Sequence, residues 1–312
     1  MTMLKPNHSS NYMNNNPLVS ILIPTFNREK YLGEALDSAL AQTYPNIEII
    51  VHDDASSDCT LSLLKQYSDS RLRVIHTSKN HGMIGGWNFI VSKAKGKYIK
   101  FLASDDLLKS NCVKELVQAA LAHPTSSLIT CQRQFIDEHG NTLKKMGFAN
   151  RSTVVNGLKH AHWILTSLRQ NLIGEPTAVL YPSKLVKKAG GYDPQFSQFA
   201  DFEYWIRLLQ FGDLVYIHKP LCSFRMHALS NTSAATADGR FITEIFALII
   251  KYYKDPSFVK TFSLTSADHA HVTRQKTLDT LKNIKDLIFQ GHFLRASRYI
   301  IKLLGAISQS HQ

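Results

Sequence analysis

The chain has 312 residues, of which 44% are hydrophobic, and a formal net charge of +12 at pH 7. This composition is that of a globular protein with one large core or two smaller ones. Its four cysteines form no CxxC pair, so neither a disulfide framework nor a zinc site is supported. The basic charge suits nucleic acid, an anionic membrane surface or a phosphate-bearing substrate, and does not choose among them.

The first 17 residues are polar and predict a disordered leader. They are rich in Asn, Ser and His and lack the apolar stretch of a secretory signal. No apolar run along the chain approaches the roughly 20 residues that span a bilayer. We therefore expect a cytoplasmic protein that lies at most on a membrane surface.

Short apolar strands and amphipathic helices alternate in the first half of the chain. The predicted strands are 19–24, 47–51, 72–76 and 98–102, and the predicted helices are 31–42, 60–67, 83–94 and 110–122. This alternation implies an α/β fold with a mainly parallel sheet covered by helices on both faces. Functional residues of such sheets gather at the carboxyl ends of the strands.

The second half is less regular. Its predicted strands are 128–135, 176–181 and 215–218, and its predicted helices lie within 154–167 and 201–209. From residue 240 onward the pattern is helical and basic.

Adjacent carboxylates follow two strands of the first half. Asp53 and Asp54 follow the second strand, where donors of a nucleobase or ribose would offset their repulsion, and an acidic helix-capping loop explains them equally well. Asp105 and Asp106 follow the fourth strand. They offer the ligands that Mg²⁺ or Mn²⁺ takes together with substrate phosphates.

Three polar residues of the second half are also candidates for chemistry. Asp201 opens a predicted helix, and it is either the N-cap or a general base that takes a proton from an acceptor hydroxyl. Arg225 is suited to hold phosphate, and His227 is either a structural histidine or a metal ligand. The sequence alone does not separate these roles.

Residues 19–60 read VSILIPTFNREKYLGEALDSALAQTYPNIEIIVHDDASSDCT and strongly resemble the opening of family 2 glycosyltransferases. The shared features are a Pro-Thr-aromatic-Asn turn, a helix ending in Gln-Thr, and an Asp-Asp-x-Ser-x-Asp-x-Thr turn. Asn80-His81-Gly82 resembles the Asn-x-Gly element of that family. The resemblance implies the GT-A fold, a Rossmann-like and mainly parallel sheet flanked by helices, here with a C-terminal helical extension.

The resemblance also implies roles for individual residues. The residues that it assigns to the nucleotide are Pro24, Thr25, Asn27, Asp54, Asn80, Asp105 and Arg225. A divalent metal, Mn²⁺ or Mg²⁺, would be held by Asp105, Asp106 and His227. Asp201 resembles the catalytic base, and the acceptor side would include Glu175, Trp205 and Arg207.

The implied activity is inverting transfer of a hexosyl or N-acetylhexosaminyl group from a nucleotide diphosphate sugar, with UDP expected. The acceptor would be a hydroxyl of a glycan or lipid-linked sugar in surface polysaccharide biosynthesis. Ala103 and Ala200 stand where the family usually has Asp and Glu. These departures motivate a second hypothesis, an inactive relative that only binds nucleotide or sugar. We expect no nucleic-acid partner, because the basic excess lies mostly in the tail, away from the motifs.

We expect three regions along the chain. They are the leader 1–17, a GT-A domain over 18–235 with a nucleotide-binding half 18–125 and an acceptor half 126–235, and a basic helical region 240–312. In the tail, apolar residues alternate with Lys and Arg over 277–304. Such a helix lies on an anionic membrane, here the inner face, or packs on the domain or in a homo-oligomer.

Overall fold

The computed structural model describes residues 2–3, 16–169, 171–228 and 237–310. Most of the predicted leader, residues 1 and 4–15, lies outside these ranges. The chain forms two compact units. The first consists of Met1–Gly157, Asn171–Tyr192 and Arg207–Met226, and the second of Leu158–Gln170, Asp193–Ile206 and His227–Gln312. This division differs from the sequence-based one, since Leu158–Gln170, Asp193–Ile206 and the end of the expected acceptor half from His227 onward belong to the same unit as the C-terminal helices.

Within the described ranges, eleven strands form one sheet in the first unit. They are β1 (Thr2–Met3), β2 (Val19–Thr25), β3 (Ile47–Asp54), β4 (Leu72–Thr77), β5 (Tyr98–Phe101), β6 (Leu107–Leu108), β7 (Ser126–Ile136), β8 (Thr142–Met146), β9 (Thr153–Val155), β10 (Val179–Pro182) and β11 (Asp213–Arg225). Their order is β1-β9-β11-β7-β10-β5-β2-β3-β4, with β6 on β11 and β8 on β7. Pro176–Ala178 form a 3₁₀ turn, so β10 begins later than the strand predicted there.

The helices alternate with the strands at first and then dominate the end of the chain. They are α1 (Leu32–Leu40), α2 (Thr60–Leu64), α3 (Gly82–Ser92), α4 (Cys112–Ala122), α5 (Gly157–Ser167), α6 (Val186–Ala189), α7 (Ala200–Leu209), α8 (Arg240–Lys254), α9 (Pro256–Phe262), α10 (Ser266–Phe289) and α11 (Phe293–Ser310). In the part of the chain that the structure describes, no helix is long and apolar enough to cross a membrane.

Four parallel strands, β5-β2-β3-β4, build the half of the sheet that carries the acidic motifs. β2 is apolar and buried along nearly its whole length, as expected for a strand covered on both faces. The chain runs from β2 outward through β3 to β4 and then returns to β5 on the other side of β2. The strand order therefore reverses at β2, and a ligand crevice is expected beyond the carboxyl ends of β2 and β5.

The second unit consists of helices held by buried polar contacts as well as apolar packing. Glu203 of α7 is completely buried, and its carboxylate lies 2.7 Å from the Lys251 ammonium of α8. The same ammonium lies 2.7 Å from the Asp193 carboxylate, and the Tyr252 hydroxyl donates to Glu203 over 3.2 Å. These partners compensate the buried charge of Glu203 and orient α7 within its unit.

Candidate active site

The turn after β2 is tied to the turn after β3 by short hydrogen bonds. Asn27 has a φ of 51°, a left-handed conformation that asparagine tolerates better than most residues. The side-chain oxygen of Asn27 accepts a hydrogen bond from the backbone N–H of Ser57 over 2.8 Å. The backbone N–H of Asn27 donates to the Ser56 hydroxyl over 2.9 Å. Pro24 and Thr25 complete β2 directly before this turn. The structure thus places the three predicted turn residues at one strand end.

Asp54 and Asn80, two more predicted nucleotide residues, are brought together at the ends of β3 and β4. The Asn80 side-chain amide donates to the Asp54 carbonyl over 2.9 Å. The Asp54 carboxylate accepts from the His81 amide over 2.9 Å and lies 2.7 Å from His81 Nδ1. The neighbouring Asp53 is completely buried, with Oδ2 2.8 Å from His76 Nδ1. Both carboxylates are therefore held by histidines rather than lying free in a loop.

Asp105 and Asp106 follow β5 and differ in their surroundings. Asp106 is 1% exposed, and its two oxygens accept from the Thr177 hydroxyl over 2.6 Å and the Arg225 amide over 2.9 Å. Burial and the adjacent Asp105 carboxylate raise the pKa of Asp106 well above its ordinary value. The Asp105 side chain is 17% exposed and lies 3.7 Å from Nε of Arg28.

The donor set at this strand end fits a hard divalent cation. Each Asp106 oxygen accepts one of these two hydrogen bonds, and a carboxylate oxygen has a second lone pair for a metal. A cation would also relieve the repulsion that raises the pKa of Asp106. Mg²⁺ and Mn²⁺ are commonly held by one or two carboxylates together with substrate phosphates. Ala103 adds no carboxylate, and its amide donates to the Thr177 hydroxyl over 3.1 Å.

The Arg225 side chain is buried beside the acidic pair. It is 1% exposed. Nε donates to the Asp105 carbonyl over 2.9 Å, and the other nitrogens reach the Glu138 carbonyl at 3.1 Å and the Glu34 carboxylate at 2.7 Å. The guanidinium also lies 4.9 Å from the centre of the Tyr31 ring. Arg225 therefore positions the Asp105–Asp106 segment, and its direct contact with a phosphate stays a prediction.

The predicted acceptor-side residues have structural partners in the first unit. The Glu175 carboxylate lies 2.9 Å from Nε of Arg133, whose side chain is buried. Arg207 is buried as well, and it donates to the carbonyl of Ala189 at the end of α6. These contacts hold the two residues in place, and they leave an acceptor contact from either as a prediction.

Asp201, Trp205 and His227 belong to the second unit. Asp201 is half-buried in the first turn of α7, and its carboxylate accepts from the Phe202 amide over 2.7 Å. His227 is half-buried and follows β11 by two residues. Trp205 is completely buried, with its ring 5.9 Å from that of Tyr204. Trp205 thus packs in the core, and its contact with an acceptor stays a prediction.

Four residues that the sequence did not single out shape the acidic site. Arg28 brings a cation to Asp105, Glu34 pairs with Arg225, and Thr177 binds Asp106. Lys100 is completely buried in β5 and donates to the carbonyl of Thr177. Arg28 lies in the polar turn directly after β2, and that place in the sequence could have identified it as a candidate functional residue. The other three show in the sequence only as ordinary strand, helix and loop positions.

The comparisons with known proteins agree with this architecture. Residues 20–184 match glycosyl transferase family 2. An uncharacterized glycosyltransferase of Rickettsia typhi is 32% identical over 221 residues, which are 70% of this chain and 67% of that protein. The chain belongs to glycosyl transferase family 2. The protein is thus a glycosyltransferase, as the motifs of residues 19–60 predicted.

Solved glycosyltransferases share the fold of the chain. The structure of Staphylococcus aureus TarS 1–349 with UDP-GlcNAc has a TM-score of 0.61 and 18% identity, and the match covers 94% of this chain and 91% of that one. Mannosyltransferase PcManGT of Pyrobaculum calidifontis, solved with GDP-Man and Mn²⁺, has a TM-score of 0.57 and 16% identity over 94% and 88%. These likenesses confirm the predicted GT-A fold with C-terminal helices for this member of family 2.

Proposed function

We propose that the protein transfers a sugar, with inversion, from a UDP-sugar to a hydroxyl of a glycan or lipid-linked acceptor in surface polysaccharide biosynthesis. The observation that carries the proposal is the Asp105–Asp106 pair, which follows β5 where the strand order of the sheet reverses. Two carboxylates at that place suit a divalent cation that also binds a diphosphate. An acidic site of this kind does not suit a nucleic-acid backbone, which is bound by basic groups.

The donor proposed is a UDP-linked hexose or N-acetylhexosamine. The similarity to TarS, whose structure contains UDP-GlcNAc, supports this choice. The similarity to PcManGT, solved with GDP-Man and Mn²⁺, supports a divalent metal. Asp54, with Pro24, Thr25, Asn27 and Asn80 around it, is the proposed contact for the base. Its Oδ2 accepts a hydrogen bond that the His81 amide shares with Oδ1, which leaves a second lone pair of Oδ2 for the base.

Transfer requires that the negative charge developing on the departing diphosphate be stabilised. When bound, a divalent cation acts as a Lewis acid toward the diphosphate. In this chain Asp105 and Asp106 would hold that cation, with His227 as a further candidate ligand. Arg28, 3.7 Å from Asp105 and partly exposed, would add a fixed positive charge close to the departing group.

Transfer also requires a base that takes the proton from the acceptor hydroxyl. In an inverting displacement the acceptor oxygen forms the bond to the anomeric carbon while the bond from that carbon to the diphosphate oxygen breaks. We assign the departing hydroxyl proton to the Asp201 carboxylate, which is half-buried in the first turn of α7. The electron pair of the broken bond leaves with the nucleoside diphosphate. No covalent sugar–protein intermediate is needed.

Release of free nucleotide from a panel of nucleotide sugars tests the proposal. We expect slow hydrolysis of one UDP-sugar in the presence of Mn²⁺ or Mg²⁺ and none with EDTA, because the departing diphosphate needs the cation. Hydrolysis of a GDP-sugar instead would contradict the UDP assignment. No turnover of any donor, together with no metal-dependent binding of UDP, would favour the inactive relative that Ala103 and Ala200 suggested.

The pair of helices α10 (Ser266–Phe289) and α11 (Phe293–Ser310) supports a peripheral membrane location, at which a lipid-linked acceptor would be found. Large apolar side chains are exposed around the turn between α10 and α11, with Phe289 92%, Phe293 65% and Leu294 81% exposed. Lys282 and Lys285 accompany them on α10. Exposed aromatic residues beside basic ones match the chemistry of an anionic bilayer surface, whereas a second identical copy would bring like charges together.

Co-sedimentation with vesicles tests this location. We expect binding to phosphatidylglycerol vesicles that weakens at high salt and falls at least tenfold in the double variant F289S/F293S, because each buried CH₂ contributes about 0.8 kcal/mol. The matched control is L143S, which changes another exposed apolar residue, on β8. Equal binding by all three proteins would refute the membrane role, and a concentration-dependent dimer lost in the double variant would assign the face to a homo-oligomer.

A further inference from the structure

A second group of metal-type ligands lies apart from the acidic pair, at the ends of β3 and β4. The histidine–aspartate cluster consists of His52, Asp54 and His81, which each offer a ligand atom within 4.8 Å of the others. Asp54 Oδ1 is 2.7 Å from Nδ1 of His81 and 3.8 Å from Nε2 of His52. Ligands of one tetrahedral ion are separated by similar distances, since each lies about 2 Å from the metal. Small side-chain adjustments therefore suffice to bring the three atoms around one ion.

His52 has the properties of a ligand rather than of a charged partner. Its side chain is completely buried. Burial disfavours the charged form of an imidazole. Neutral imidazole is the form that binds metals. Its Nε2 faces the cluster, 3.2 Å from the Thr77 hydroxyl.

The two imidazoles are held in place before any ion arrives. The Phe89 ring of α3 lies 4.6 Å from the His52 ring and 5.4 Å from the His81 ring, with which it stacks at 15°. The His81 amide fixes Asp54 by donating to both of its carboxylate oxygens, at 2.9 and 3.0 Å. Ligand sets held by surrounding packing and hydrogen bonds bind metals more tightly than loose ones.

The ligand chemistry distinguishes this cluster from the acidic pair. Two imidazoles and one carboxylate are the set that Zn²⁺, Co²⁺ and Ni²⁺ take, whereas Mg²⁺ and Mn²⁺ prefer oxygen ligands. The His81 side chain is 37% exposed, which gives an ion a path from solvent. Three protein ligands leave a fourth position for water or for the Thr77 hydroxyl, which lies 3.3 Å from Asp54 Oδ1.

We propose that His52, Asp54 and His81 bind a borderline divalent cation of the zinc class, at a site separate from Asp105 and Asp106. Asp54 is also the proposed contact for the donor base. One carboxylate then serves two ligands, so zinc and the nucleotide exclude each other and zinc inhibits transfer. The inhibition of transfer by zinc rests on the proposed function, whereas the metal site itself does not.

Titration of the full chain with Co²⁺, followed by visible absorption, tests the site itself. We expect one equivalent to produce the intense bands of low-coordinate Co²⁺ and Zn²⁺ to displace it. H81A removes a partly exposed ligand and is expected to weaken binding by at least about tenfold. H76A, which changes a histidine paired with Asp53 outside the cluster, is expected to leave binding unchanged. Circular dichroism checks the fold of both variants.

Two outcomes would overturn the site. One is the absence of stoichiometric Co²⁺ binding, and the other is binding that H81A leaves intact and D105N abolishes, which would place the ion at the acidic pair. UDP added to the Co²⁺-loaded protein then tests the shared carboxylate. Loss of the bands supports exclusion, and bands that persist with UDP bound refute it. Failure of UDP to bind the metal-free or Mg²⁺-loaded protein would count against the proposed function and leave the Co²⁺ result standing.

Discussion

Asp106→Asn is expected to lower sugar transfer by about 10²- to 10³-fold, the usual cost of removing one preorganised electrostatic group from an active site. The amide keeps the size of the carboxylate and removes its charge. The cation would then be bound by the Asp105 carboxylate and a neutral amide in place of two carboxylates. It would therefore bind more weakly, and the departing diphosphate would be less well stabilised. The measurement is the transfer rate as a function of Mn²⁺ concentration, in which the variant needs more metal and reaches a lower maximum.

Stability measurements separate this loss from misfolding. A carboxyl whose pKa in the folded protein is raised above its ordinary 3.8 destabilises the fold increasingly as the pH rises past that value, because folding then opposes its ionisation. At pH 7 the metal-free D106N variant should therefore be at least as stable as the unaltered protein. At low pH, where the Asp106 carboxyl is protonated in both the folded and the unfolded protein, this stability advantage of the variant should disappear. Thermal unfolding at the two pH values checks this sign.

Thr177→Val is the matched control for Asp106. It removes the 2.6 Å hydrogen bond to the carboxylate and keeps the charge. We expect a small loss of transfer, with metal dependence close to that of the unaltered protein. If T177V loses as much as D106N, the orientation of Asp106 matters more than its charge. Full activity of D106N would remove Asp106 from the metal site and leave Asp105 as its carboxylate.

The parallel half of the fold could be predicted because its strands are short runs rich in apolar residues, and its central strands β2 and β3 are buried along nearly their whole length. β2, β3, β4 and β5 all coincide with predicted runs, to within a few residues at each end. β8 escaped prediction because it is exposed along most of its length and carries no alternating pattern. β11 is longer than predicted because Lys219 and Pro220 interrupt the apolar run, and the structure accommodates them through register shifts against β7.

The candidate site could be predicted only as far as residue type and strand ends allow. Asp54, Asn80, Asp105 and Asp106 lie where the rule for parallel sheets put them. The buried contacts of Arg225 could not be predicted, because a sequence shows a guanidinium and not its burial. The burial of Trp205 was not predicted either. The phosphate contact of Arg225 and the acceptor contact of Trp205 stay predictions.

Asp201→Asn is expected to reduce transfer by about 10²- to 10⁴-fold, the range for loss of a general base. The amide oxygen can still accept from the Phe202 amide, so α7 should be unaffected. Binding of UDP and of metal should not change, because the proposed base acts on the acceptor. D286N, at an exposed position on α10, is the matched control and should transfer at the normal rate.

The pH dependence of transfer makes the assignment of Asp201 specific. A carboxylate base must be ionised, so the rate of the unaltered protein should fall at acid pH, and the residual rate of D201N should lack that limb. The comparison requires saturating donor and metal, so that loss of the metal at acid pH does not add a second limb to the profile. If D201N transfers normally, the proton goes to another group. If it loses UDP binding together with transfer, Asp201 supports the fold of the site rather than the chemistry.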